Sequence, residues 1–286
     1  MKNKNHTYII AEAGVNHNGS IKIAKQLVDI AVDAGADAVK FQTFNADTLV
    51  TKAALKAEYQ KVTTDEGESQ YEMIKKLELS REFHEDIAGY CGKCKIEFLS
   101  TPFDLGSVDL LVSSFDVPYL KVGSGDITNA PLILKIARTD KKIILSTGMS
   151  TISDIENALG VIAFGYLFKD KDPSLHNFNQ AFCSEAGQKL LQERVVLLHC
   201  VTEYPTPIYD INLRAIDSLR QIFGLQIGLS DHTEGVIVSV AAVARGARFI
   251  EKHFTLDKTL PGPDHKASLD PQELKTMVKY IRDVED

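Results

Sequence analysis

Eight short apolar runs, separated by amphipathic stretches, constrain this chain more than any other feature. They are YIIAEAG (8–14), AVKFQT (38–43), EFLSTPF (97–103), YLKVGSG (119–125), KIILSTG (142–148), VVLLHC (195–200), QIGLSD (226–231) and RFIEKHF (248–254). Each begins aliphatic and ends small, polar or charged. A continuous apolar run is what a strand covered on both faces requires, because neither side of it meets water. Helix signals fill the intervals. Ser20 caps a stretch with Ile21, Ala24, Leu27, Val28, Ala31 and Val32 at helical spacing, and Gly35 ends it. Ser80 stands before Phe83, Ile87 and Cys91, and Thr151 with Asp154 resembles a capping box ahead of Ile155, Leu159 and Ile162. Asn212 opens a segment closed by Gly224, and Asp270-Pro271-Gln272-Glu273 supplies a cap, a first-turn proline and an acid together. Eight strands, each followed by a helix through right-handed crossovers, close into an α/β barrel of the (β/α)8 TIM type. An open doubly wound sheet is the competing arrangement.

A length of 286 residues suits one such barrel, so 1–286 is expected to form a single catalytic (β/α)8 domain. Two segments exceed ordinary loops. Residues 44–70 follow the second strand, on the catalytic face, and are expected to form a lid or substrate loop. Residues 165–194 precede the sixth strand, on the opposite face, and read as a polar surface elaboration. The formal charge, 32 − 39 = −7, argues against nucleic acid as the partner, which wants a basic face. No apolar run reaches the roughly 18 residues of a membrane span. Four cysteines (Cys91, Cys94, Cys183 and Cys200) read as reduced thiols, so a cytoplasmic home is expected.

In such a barrel the strand C-termini hold the chemistry. They gather Glu12, Lys40, Gln42, Thr101, Lys121, Ser124, Asp126, Ser146, Thr147, His199, Ser230, Asp231, His232, Glu251 and His253. Two lysines among several hydroxyls suit a phosphate and a carboxylate, offering point charges and small donors. One lysine alone would read equally well as half of an inward salt bridge. His232 and His253 end adjacent strands, where two neutral imidazoles, a carboxylate and open positions make a divalent metal site. A lone histidine is usually a hydrogen-bonded packing residue. A Schiff-base lyase is the other enzymatic reading, with Lys40 or Lys121 depressed in pKa by burial among cations. Cys91-Gly-Lys-Cys94 lacks a second such pair and falls at a helix end, so it reads as structural.

Ten blocks, in order from the first strand almost to the end, resemble the bacterial sialic acid synthases. They are AEAGVNHNG (11–19), KFQT (40–43), STPF (100–103), KVGSG (121–125), LSTGM (145–149), LHC (198–200), YPTP (204–207), GLSDHT (228–233), EKHF (251–254) and GPDH (262–265). The resemblance implies condensation of phosphoenolpyruvate with an N-acetylmannosamine-type aldehyde sugar, giving a nine-carbon 2-keto acid such as N-acetylneuraminate and phosphate. It implies that His232 and His253 hold a divalent ion, manganese first, with magnesium or cobalt as alternatives. Lys40 and Thr101 are then expected at the phosphoenolpyruvate carboxylate, with Lys121, Ser124, Ser146 and Ser230 around the phosphate. Glu12, Gln42, Tyr204 and Asp264 are expected at the sugar, and Glu12 or Asp126 as the base that activates water. Asp126 stands where the family's GSGE block carries Glu, and Thr202 where relatives often carry Asn. The family usually appends a small antifreeze-like domain reaching into the partner of a homodimer. The sequence ends at Asp286 before such a domain, so the barrel alone is expected. Legionaminic and pseudaminic acid synthases share nearly all these blocks, which leaves a diacetamido-trideoxyhexose as the alternative aldehyde. A catalytically weak sugar-phosphate binding barrel is the reading from another class.

Overall fold

The computed structural model describes residues 6–56, 60, 64 and 67–285. Eight parallel strands are β1 (Tyr8–Gly14), β2 (Ala38–Thr43), β3 (Glu97–Pro102), β4 (Tyr119–Val122), β5 (Lys142–Ser146), β6 (Val195–Cys200), β7 (Gln226–Asp231) and β8 (Phe249–His253). Their order is β3-β2-β1-β8-β7-β6-β5-β4, so ladders join every neighbour around the ring except β3 and β4, which lie side by side without one. The expected (β/α)8 barrel is therefore what forms. Helices cover it: α1 (Ile21–Ala34), α2 (Ala46–Leu49), α3 (Gln70–Leu77), α4 (Arg81–Cys94), α5 (Leu105–Ser114), α6 (Ala130–Arg138), α7 (Ile152–Leu167), α8 (Leu175–Cys183), α9 (Glu185–Arg194), α10 (Arg214–Phe223), α11 (Ile237–Ala244) and α12 (Pro271–Glu285).

The caps form where local chemistry demands them. Ser20, Ser80 and Thr151 accept from the backbone N–H three residues on, and Gly35 takes a left-handed φ of 80° to close α1. Asp270 and Glu273 bond reciprocally across the first turn of α12. Asn212 does not cap α10. It adopts a left-handed φ of 45°, and Leu213 enters the helix without a side-chain cap. The 165–194 segment is helical rather than irregular. Phe178 of α8 packs edge-on against Phe164, and Gly160 of α7 admits the Phe178 backbone, where an added Cβ would stand 3.2 Å from its carbonyl oxygen.

Two apolar layers result. The larger lies between strands and helices, with Ile9, Val39, Phe41, Leu197 and Ile250 among its members. The smaller plugs the lower half of the barrel interior with Ile10, Ala38, Leu99, Ile144, Val196, Leu198 and Phe249, against which Tyr8 and Tyr119 pack. Gly228 belongs to this level, because a Cβ there would lie 2.3 Å from the Phe249 carbonyl oxygen and 2.6 Å from Leu198 Cδ2.

Candidate active site

Strand alternation carries the side chains above the plug into the same interior. Glu12 pairs in register with both Lys40 and His253, Gln42 with Thr101, and Ser230 with Glu251. Together they line a chamber of about 90 Å³ with Phe103, Lys121, Gly123, Ser124, Ser146, Cys200, Tyr204 and His232. Glu12, Lys40, Lys121 and Glu251 are each 5% exposed or less, so four ionisable groups share one dry floor.

Their contacts form two connected pairs. Lys40 Nζ lies 2.7 Å from Glu12 Oε2 and donates to Thr101 Oγ1 at 2.8 Å. Lys121 Nζ donates to Ser146 Oγ at 2.7 Å. Glu251 stands between them, 3.6 Å from each Nζ, and accepts from Ser230 Oγ at 2.7 Å. Burial works against the Glu251 carboxylate, yet Lys121 and Lys40 outweigh it and pull its pKa down to about 2. For Glu12 burial wins over Lys40, raising its pKa to about 7. Burial lowers Lys121, whereas Glu12 and Glu251 overcome burial at Lys40 and hold it above the ordinary lysine value. Glu12 is therefore near its midpoint at neutral pH.

The two imidazoles form the chamber's rim, their centroids 6.0 Å apart. His232 Nδ1 donates to the Val201 carbonyl, which leaves Nε2 as a lone pair facing Tyr204 OH at 3.0 Å and Ser230 Oγ at 3.2 Å. The Tyr204 ring stacks on His232 at 4.0 Å. His253 rests against Gly14, whose added Cβ would lie 3.2 Å from the imidazole, so the glycine (φ 52°) makes its seat. His253 Nδ1 is buried without a hydrogen-bond partner among the described residues, and Asp264 Oδ2 is 3.9 Å away. Burial lowers the pKa of His232 to about 4 and that of His253 to about 3, so both rings stay neutral and able to donate a lone pair. This donor set fits a divalent ion. Among the described residues no three His, Cys, Asp or Glu side chains form a ready cage, so the remaining positions would fall to water and substrate.

A second chamber of about 320 Å³ opens outward and shares Gln42, Phe103, Tyr204 and His253 with the first. Asp264 lines it, its carboxyl raised to about 6 by burial. Phe44, Leu49, Val50, Gln60 and Gln70 bring the 44–70 excursion to its wall, while positions 57–59, 61–63 and 65–66 of that excursion lie outside the described residues.

Glu12, Lys40, Gln42, Thr101, Lys121, Ser124, Ser146, Tyr204, Ser230, His232 and His253 thus meet at one site, with Asp264 in the antechamber. Asp126 does not line either chamber. Strand β4 ends at Val122, and the following 3-10 turn aims the acid at Asn129, whose Nδ2 donates to it at 3.1 Å. His199 turns outward to the Ile211 carbonyl, and Asp231 turns outward to Lys252. Glu251, central to the charge balance, was given no role by sequence reasoning; its place two residues before His253 in the same strand was the available signal.

Fold and rim together define a (β/α)8 enzyme with a strand-end site of lysines, carboxylates and paired imidazoles. The chain belongs to the NeuB family, which matches residues 27–286. It is 49% identical to an N,N'-diacetyllegionaminic acid synthase of Campylobacter jejuni over 98% of this chain and 76% of that protein. A Legionella pneumophila protein of the same description is 47% identical over 97% of this chain and 72% of its own length. The crystal structure of an N-acetylneuraminic acid synthetase from Leptospira borgpetersenii, in complex with citrate, superposes with a TM-score of 0.78 at 32% identity, covering 98% and 84% of the two chains. No helix among the described residues is long and apolar enough to cross a membrane.

Proposed function

We propose that this protein condenses phosphoenolpyruvate with an open-chain, N-acylated mannosamine-type aldehyde, releasing phosphate and a nine-carbon 2-keto acid. The observation that carries the reading is the bonding of Lys40 to Thr101 and of Lys121 to Ser146 on one buried floor beneath two neutral imidazoles. Lys40 and Thr101 would take the carboxylate. Lys121, Ser124, Ser146 and Ser230 would take the phosphate. Gln42, Tyr204 and Asp264 would orient the sugar hydroxyls.

Enol C3 attacks the aldehyde carbon, and the aldehyde oxygen takes up a proton. C2 is left electron-poor, water adds there with loss of a proton, and C–O cleavage then expels phosphate and leaves the ketone. Glu12, with its pKa near 7, is matched to accept the water's proton at neutral pH. The fixed lysines and hydroxyls hold the phosphoryl charge without having to reorganise. A divalent ion on His232 and His253, manganese first and magnesium or cobalt next, would polarise the aldehyde oxygen as a Lewis acid. The working form proposed is the barrel as one catalytic unit, in a cytoplasmic homodimer.

Of the candidate aldehydes, the antechamber favours the deoxygenated, twice-acylated one. Phe44, Leu49, Met73, Ile74, Leu77 and Phe103 give it an apolar wall, and no lysine or arginine lines it among the described residues. A deoxy methyl or an acetamido methyl gains by burial there, whereas the extra hydroxyls of N-acetylmannosamine would lose water against an apolar wall. The legionaminic descriptions of the two relatives agree with a diacetamido-trideoxyhexose.

Phosphate release from phosphoenolpyruvate, measured with a panel of aldehydes, should require both such a sugar and manganese. EDTA should abolish it, and His253→Ala should not recover with added metal. Indifference to EDTA with borohydride trapping of a lysine by pyruvate would mean a Schiff-base lyase instead. Binding without turnover across the panel would mean a binding barrel.

A further inference from the structure

Asp231 and Lys252 lie one residue before His232 and His253 and are register partners across β7 and β8. Alternation turns them away from the chamber, into the layer between the barrel wall and α11. Each is 1% exposed. Lys252 Nζ lies 3.0 Å from Asp231 Oδ2 and donates to the Thr233 carbonyl. Asp231 Oδ1 accepts from Thr233 N at 2.9 Å and Thr233 Oγ1 at 2.7 Å, while Oδ2 accepts from Ser239 Oγ on α11 at 2.6 Å. The residues on both sides of His232 are therefore tied to one carboxylate.

An ion pair this dry adds little stability over two apolar side chains of similar volume, because desolvating the charges offsets their attraction. Neither group reaches the chamber, so the chemistry does not use them directly. What the pair does fix is geometry. Its bonds define how β7 sits against β8 and how the chain turns after β7. Those two features set where the imidazoles stand on the other face of the same strands.

We propose that Asp231 and Lys252 are positioning residues. With Thr233 and Ser239 they lock the β7–β8 register and the turn after β7, so that His232 and His253 face one another as a two-nitrogen site for a divalent cation. This rests on the reading of the two histidines as cation ligands.

The test is the volume-matched apolar double variant D231L/K252M, read without turnover. Manganese affinity is measured by electron paramagnetic resonance of the free ion, phosphoenolpyruvate affinity by calorimetry, and folding by thermal melting. The double variant should fold and bind phosphoenolpyruvate within about twofold of the wild type, while its manganese affinity falls about 10–100-fold, the range seen when the groups that orient metal ligands are removed. Ser239→Ala removes one hydrogen bond to the Asp231 carboxylate and should weaken manganese about two- to tenfold; it decides the matter if the double variant fails to fold. Wild-type manganese affinity in the folded double variant, or in Ser239→Ala should that be the deciding protein, overturns the inference, as do equal losses of both ligands. A wild-type protein that does not bind manganese, or a His253→Ala variant that binds it undiminished, overturns the reading of the histidines and the inference with it.

Discussion

One step up each strand, the interior of the barrel changes character. Ile10 gives way to Glu12, Ala38 to Lys40, Leu99 to Thr101, Tyr119 to Lys121, Ile144 to Ser146, Leu198 to Cys200, Gly228 to Ser230 and Phe249 to Glu251. The lower ring is a packed apolar plug whose burial favours folding. The upper ring buries four ionisable groups at a cost that their mutual pairing only partly offsets. The difference teaches that the same backbone register serves two purposes. The plug fills the interior beneath the chamber, and charges buried above it act more strongly than they would in water.

Four experiments test that division. Phe249→Ala should remove about 3–5 kcal/mol of stability by opening a cavity in the plug. Chemical denaturation would measure it, and the KM for phosphoenolpyruvate of the remaining folded enzyme should stay near wild type. Lys121→Ala should do the reverse, lowering kcat/KM for phosphoenolpyruvate by about 10²–10³-fold with little change in melting temperature. A matched loss of stability there would erase the distinction between the halves.

Acid should act on the loop that leads from β1 to α1, where His17 is buried against Phe41 and Phe83. Burial, then His84 and His265, lowers the pKa of His17 from 6.5 to about 4, so the unfolded chain binds a proton that the folded one refuses. Stability is then full above about pH 6.5 and is lost as pH falls toward 4, by on the order of 3 kcal/mol for this group. Melting temperatures of His17→Gln across that range should fall less steeply than the wild type's. The smallest effect belongs to the antechamber. Phe44→Ala should raise the KM for the aldehyde about tenfold and leave that for phosphoenolpyruvate unchanged, as initial-rate kinetics would show.

Most of this division was legible in the sequence. The barrel followed from the eight runs, and Lys40, Lys121, His232 and His253 followed from their places at strand ends. What the residues alone left open was parity. Asp231 and His232, or Glu251 and Lys252, are neighbours in the chain yet face opposite sides of the wall, and only the register shows which enters the chamber. Lys40 is half of a salt bridge with Glu12, as one of its two readings had it, and its reading as an anion ligand belongs to the proposed function. Asp126 was placed at a strand end because YLKVGSG reads as strand to its close, and the resemblance then offered it as a base. Leaving the sheet at Val122 turned that acid toward Asn129. The segment 165–194 hid its helices because a helix packed on another helix needs only a narrow apolar stripe, with Ala181 and Leu191 its fully buried aliphatic side chains.

Gly228 carries a consequence for how such a pocket can drift. The plug is tightest there, and any side chain would collide with the Phe249 carbonyl oxygen at 2.3 Å. Relief would come by sliding β8, and Glu251 and His253 ride on β8. A methyl group beneath the reactants would thus act as a shim, retilting the bench on which they sit. Selection or an engineer could reshape what the enzyme accepts from underneath, without altering any atom that a substrate meets.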